Sequence, residues 1–101
     1  MAGVKFDVYY APSIREHIKV LSARDRTALF DAVEKNLMYE PARETRNRKP
    51  LRNNPFASHE LRVGYLRVFY RIDETARSVQ IKAIGRKIGN KLLIGDEEVS
   101  L

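Results

Sequence analysis

The strongest constraint on the fold is a hydrophobic period that changes twice along the chain. Val4, Phe6, Val8 and Tyr10 alternate with Lys5, Asp7 and Tyr9, the two-residue period of a half-buried strand. Pro12 then suits a first helical turn, and Ile14, Ile18 and Leu21 follow at helical spacing. Ser22-Ala23-Arg24-Asp25 has the form of a capping box, a hydroxyl three residues ahead of a carboxylate. Leu29, Phe30, Val33, Leu37 and Met38 continue as one apolar stripe, which Pro41 stops. Period two returns in Leu61 and Val63, a Gly64-Tyr65 turn, then Leu66, Val68, Tyr70 and Ile72. A polar turn from Asp73 to Ser78 leads to Val79, Ile81 and Ala83, and Gly89-Asn90 reads as a tight turn before Lys91-Leu92-Leu93-Ile94. Helices with one apolar stripe must cover strands with one apolar face. The expected fold is α+β: an N-terminal strand and a two-helix hairpin packed on one face of a three- to five-stranded antiparallel sheet. At 101 residues, one domain spanning 1–101 fits the length.

Composition narrows the function classes. The chain has no cysteine, which excludes disulfides, thiolate metal sites and a cysteine nucleophile. No apolar run reaches the length of a membrane span, and the first residues lack a secretion signal, so the expected compartment is the cytoplasm. The charge is unevenly spread. Residues 43–91 carry thirteen Lys/Arg against four Asp/Glu, whereas residues 1–42 are balanced and 92–101 hold only Asp96, Glu97 and Glu98. Such one-sidedness in a small domain points to a polyanion, nucleic acid before membrane, because no basic amphipathic helix carries the excess.

Residues 42–58 lack a sustained period and read as a long basic loop, with Arg43, Arg46, Arg48, Lys49 and Arg52 close together. Strand alternation then sorts the rest. With Leu61, Val63, Leu66, Val68, Tyr70 and Ile72 facing the helices, Arg62, Arg67, Phe69 and Arg71 face outward. Gln80, Lys82, Ile84 and Arg86 are expected to join them. Arginine forks grip phosphate and aromatic rings stack on bases, so this face, with Tyr65 and the basic loop beside it, is the expected binding surface.

The stretch Lys49-Pro50-Leu51-Arg52, followed by the run from His59-Glu60-Leu61-Arg62-Val63-Gly64-Tyr65 to Leu66-Arg67-Val68-Phe69-Tyr70-Arg71-Ile72-Asp73, resembles the central signature of the RelE/ParE toxin superfamily. Ile84-Gly85-Arg86-Lys87 resembles its closing turn. The likeness extends over about residues 4–88, and 89–101 match poorly. It implies a toxin of a bacterial toxin–antitoxin pair, with a cognate antitoxin protein as partner. RelE-like members cut mRNA on the ribosome; ParE-like members instead poison DNA gyrase and are not nucleases.

For RNA cleavage the resemblance implies attack of a ribose 2′-hydroxyl on the adjacent phosphodiester, which needs a base, cations for the phosphate charge and an acid. It places Arg67 and Arg86 as phosphate clamps, and sets Glu60 and Arg62 where relatives carry basic catalytic residues: Arg62 keeps that charge and Glu60 reverses it, although some relatives use a carboxylate as base nearby. His59, whose intrinsic pKa suits proton transfer near neutrality, is the other candidate. Lys49, Arg52, Tyr65, Phe69, Arg71, Lys82 and Lys87 are the expected RNA contacts. The Tyr or His that many nuclease members carry after the last arginine is missing: the region reads Lys87-Ile88-Gly89-Asn90-Lys91-Leu92-Leu93. Retention of the basic face favours the nuclease; that missing group favours a gyrase inhibitor or a toxin fold without activity. His17 is read as structural, and no metal or other cofactor is expected. The acidic ending Gly95–Leu101 is read as a solvated tail, with screening of the arginine face as the alternative.

Overall fold

Of the expected capping box, the bond to the Ser22 hydroxyl forms, while the Asp25 carboxylate accepts from Tyr65 instead. In the computed structural model, which describes residues 3–100, the Ser22 hydroxyl accepts the Asp25 amide at 3.1 Å. Helix α2 then runs Ala23–Leu37. The preceding helix, α1, is only Ile14–Ile18; Leu21, expected on its stripe, lies buried in the connection. Leu29, Val33 and Leu37 of α2 are buried in one cluster with Leu61, Leu66, Val68, Tyr70, Val79, Ile81 and Ile84 of the sheet. Each fully buried side chain of this size contributes roughly 1.5–3 kcal/mol. Phe30 does not join that core; it is partly exposed and meets Tyr10 edge-on at 5.6 Å.

The strands are β1 (Asp7–Tyr10), β2 (Arg48–Pro50), β3 (His59–Val63), β4 (Leu66–Asp73), β5 (Ser78–Ile88), β6 (Lys91–Ile94) and β7 (Glu97–Val99). Strands β2 to β7 form an antiparallel succession in chain order, and β1 pairs with β5. The expected three- to five-stranded antiparallel sheet is therefore seven-stranded, with one parallel pairing. Strand β5 is long enough to pair twice along one edge, with β1 through Ser78–Ile81 and with β6 through Gly85–Ile88.

Two added strands come from segments without a strand expectation. Strand β2 lies inside the basic loop and is held by Arg48, whose buried guanidinium donates from Nη1 to Asn36 O at 2.6 Å and Glu40 O at 3.0 Å. It thus satisfies the Asn36 carbonyl, left over in the last turn of α2, and shares the Glu40 carbonyl beyond the helix with the Arg43 amide. Strand β7 comes from the ending read as a solvated tail. Gly89 and Gly95 both have positive φ, allowing two-residue hairpin turns before β6 and before β7.

One irregularity rearranges the faces. The β4–β5 register shifts between Phe69 and Tyr70, which pair with Ala83 and Ile81. Lys82 is thereby left without a partner on β4, a β-bulge, and the alternation of β5 reverses beyond it. Ala83, Gly85 and Lys87 consequently share the face of Arg67 and Phe69. Ile84 and Arg86, both expected outward, lie on the helix side opposite Val68 and Leu66.

Candidate functional site

The outer face is not an open solvated surface. Phe69, Ala57 and Ala83 form a second buried cluster, with Leu51, Leu92 and Ile94 packed against it. Phe69 is 3% exposed, so the stacking platform expected there is an interior side chain. The 51–58 loop and the β6–β7 hairpin supply its cover. Two outward cations anchor the loop: Arg71 Nη2 donates to Pro55 O, and Lys82 Nζ stands 5.5 Å from the Phe56 ring centroid.

Between these covers a cleft of about 260 Å³ remains, lined by Glu60, Arg67, Phe69, Lys87, Leu92 and Ser100 among others. Strand alternation puts Glu60 and Arg62 on one face, and the β3–β4 register sets Arg67 directly across from Arg62. Lys49 is the β2 neighbour of Glu60. The Glu60 carboxylate lies 3.5 Å from Arg67 Nε and 3.8 Å from Arg62 Nε. Arg67 Nη1 also donates to Gly64 O at 2.7 Å and Leu66 O at 2.9 Å. The guanidinium is therefore fixed by its own hairpin turn as well as by Glu60. Burial, more than the neighbouring Arg62, lowers the Arg67 pKa, and Glu60 opposes the shift. The result is a carboxylate between two guanidiniums at the edge of the cleft.

Several expected site residues lie elsewhere. Arg86, on the helix side, donates from Nη2 to Gly95 O at 3.0 Å, and its Nε is buried without a hydrogen-bond partner. It ties down the β6–β7 turn, while Lys87 reaches the cleft in its place. His59 shares the helix-side row of Tyr70, stacking on that ring at a centroid separation of 5.4 Å, with Nδ1 2.9 Å from Ser58 Oγ. Burial lowers its pKa against the pull of Glu74. His59 and Glu60 are thus adjacent in sequence but on opposite faces. Tyr65 hands its phenolic proton bond to Asp25 at the start of α2, which holds its pKa above the ordinary value. Arg52 lines a neighbouring hollow. His17 accepts the Ile84 amide through Nδ1 at 3.2 Å, a structural contact as expected.

Sequence reasoning missed the cleft wall made by Asn90, Leu92, Val99 and Ser100. The Gly95-Asp96 pair directly after the apolar run Leu92-Leu93-Ile94 was the available signal, since such a dipeptide favours a hairpin. The three carboxylates of that ending do not reach the arginines: Glu98 pairs loosely with Lys91 at 4.0 Å, and Asp96 and Glu97 line a separate hollow with Glu16 and His17. Among the described residues no helix is long and apolar enough to cross a membrane.

No protein-family profile matches the chain, and no curated protein matches it. Among solved structures, a chain of the toxin–antitoxin complex RelBE2 from Mycobacterium tuberculosis is similar, with a TM-score of 0.71 and 27% identity. The similarity covers 83% of this chain and 93% of that one.

Proposed function

We propose that this chain, similar in fold and sequence to a chain of the RelBE2 complex, is the RelE-like toxin of a toxin–antitoxin pair and cuts mRNA on the ribosome. The observation that carries this reading is the Glu60 carboxylate set between Arg62 and Arg67 in a cleft that also holds Lys87. An ionised carboxylate only accepts hydrogen bonds, which suits removal of a ribose 2′-proton. The freed 2′-oxygen bonds to phosphorus as the bond to the 5′-oxygen breaks, leaving a 2′,3′-cyclic phosphate and a 5′-hydroxyl. Arg67, already oriented by two carbonyls, meets the charge that builds on the phosphate without reorganising. Lys87 supplies the proton to the departing oxygen. Glu60 is preferred to His59 as the base because His59 lies on the other side of the sheet. Lys49 and Arg62 extend the cationic surface along the RNA.

The antitoxin partner in this reading carries acidic groups for the Lys49, Arg62 and Lys87 surface and an apolar segment for the rest of its contact. The site of action is the cytoplasm. The test adds purified protein to a cell-free bacterial translation reaction and maps mRNA 5′ ends by primer extension. New ends that require ribosomes, and that disappear with Glu60→Gln and with Arg67→Ala, are expected. Intact mRNA under normal translation would overturn the nuclease reading and direct the next assay to gyrase supercoiling.

A further inference from the structure

Burial of Phe69 and engagement of Tyr65 leave the cleft without the stacking ring the sequence placed there, yet another ring stands beside it. Phe56 is 38% exposed on a loop held at several points. Asn54 Oδ1 accepts the Phe56 amide at 2.9 Å and the Ala57 amide at 3.3 Å. Pro55 O accepts from Arg71, and Ala57 is fully buried in the second cluster. The loop is thus fixed on both sides of a ring that it leaves in solvent. Lys82 stands over the ring at 5.5 Å, a cation–π contact. Arg52, Phe56 and Ser100 line one hollow of about 360 Å³. Ser100 also lines the cleft of Glu60, Arg67 and Lys87, so the two hollows adjoin across the end of the chain.

We propose that the Phe56 hollow is a nucleobase subsite for single-stranded RNA, taking the base of a nucleotide next to the one held in the cleft. This deepens the nuclease reading and rests on it. Phe56 offers the stacking plane and Arg52 meets the phosphate of the same nucleotide, the combination used wherever single strands are held without duplex geometry. Because the loop is already ordered, stacking costs little conformational entropy. The subsite tolerates different bases, since every base has a π-face.

The chain has no tryptophan, so Phe56→Trp creates a single fluorescent probe at the proposed stacking plane. Short single-stranded RNA carrying a dye is titrated into wild type and variants and followed by anisotropy; unlabelled RNA is titrated into Phe56→Trp and followed by indole emission. Expected are saturable quenching of the indole at the RNA concentrations that raise the anisotropy, and no quenching by an abasic strand of equal length. Phe56→Ala should weaken binding by about 5- to 150-fold, the range of one stacked base, with an unchanged salt slope because no cation is removed. RNA that binds wild type but leaves the indole unquenched and Phe56→Ala unweakened overturns the subsite and leaves the nuclease reading standing. RNA that fails to bind wild type at all, at low salt and on translating ribosomes alike, overturns that reading and the subsite with it.

Discussion

Glu60→Gln separates chemistry from architecture at the proposed site. The carboxylate is only 17% exposed and has guanidinium nitrogens at 3.5 and 3.8 Å. At an effective dielectric near 20, each such pair is worth about 4 kcal/mol of gross attraction. Desolvation of the carboxylate offsets most of it, because taking an ion out of water costs several kcal/mol. A net loss of about 1 kcal/mol follows, and a domain of this size then melts about 4–8 °C lower. Removing one negative charge from a phosphate-binding face should tighten RNA binding and steepen its salt dependence by about 0.7 in the log–log slope for single strands. Cleavage, having lost its base, should fall by about 10²–10⁴-fold. Primer extension on translated mRNA gives the cleavage rate, anisotropy across a salt series gives binding, and circular dichroism gives the melting temperature. Cleavage within about threefold of wild type would refute the assignment of Glu60 as base, since general-base catalysis is worth far more. Binding that weakens in step with cleavage would refute the electrostatic reasoning.

Other perturbations test the frame around the cleft. Arg48→Met removes a charged donor from Asn36 O and Glu40 O; at about 1.5–3 kcal/mol for each such bond, thermal denaturation should show a drop of at least about 10 °C, and a drop under about 3 °C would count against it. Gly85→Ala places a Cβ 2.9 Å from Leu93 O and Leu92 Cδ1, so β6 must lift from β5; faster hydrogen exchange of the 91–94 amides is the expected sign, and unchanged protection would contradict the packing. Burial lowers the pKa of His59, so the folded protein resists a proton that the unfolded chain accepts near 6.5. The corresponding stability is fully present above that pH and is lost as pH falls below it. Urea midpoints at pH 7.5 and 5 should therefore differ less in His59→Gln than in wild type; His17, whose pKa burial also lowers, retains part of the slope. An equal pH dependence in the two proteins would remove His59 from this account.

Local patterning determined much of this protein. The alternation in 61–72, the stripe of α2 and the Ser22 cap depend on neighbours within a few residues, so they were legible, as was the sequestering of positive charge in residues 43–91. Pairing of Glu60, Arg62 and Arg67 on one face also follows from strand parity across the Gly64-Tyr65 turn. Tertiary structure decided what parity could not carry past an irregularity. A bulge opposite Phe69 and Tyr70 reversed β5, exchanging Arg86 for Lys87 at the cleft, and nothing local in Val79–Ala83 announces it. Burial of Phe69 likewise depends on the 51–58 loop and the β6–β7 hairpin arriving from distant parts of the chain. Arg48, one more cation in a basic run, became an interior tie because the Asn36 carbonyl in the last turn of α2 and the Glu40 carbonyl beyond it both fall within reach of its guanidinium. A residue's face is written into its strand only while the register is unbroken; its exposure depends on which remote segment settles over it.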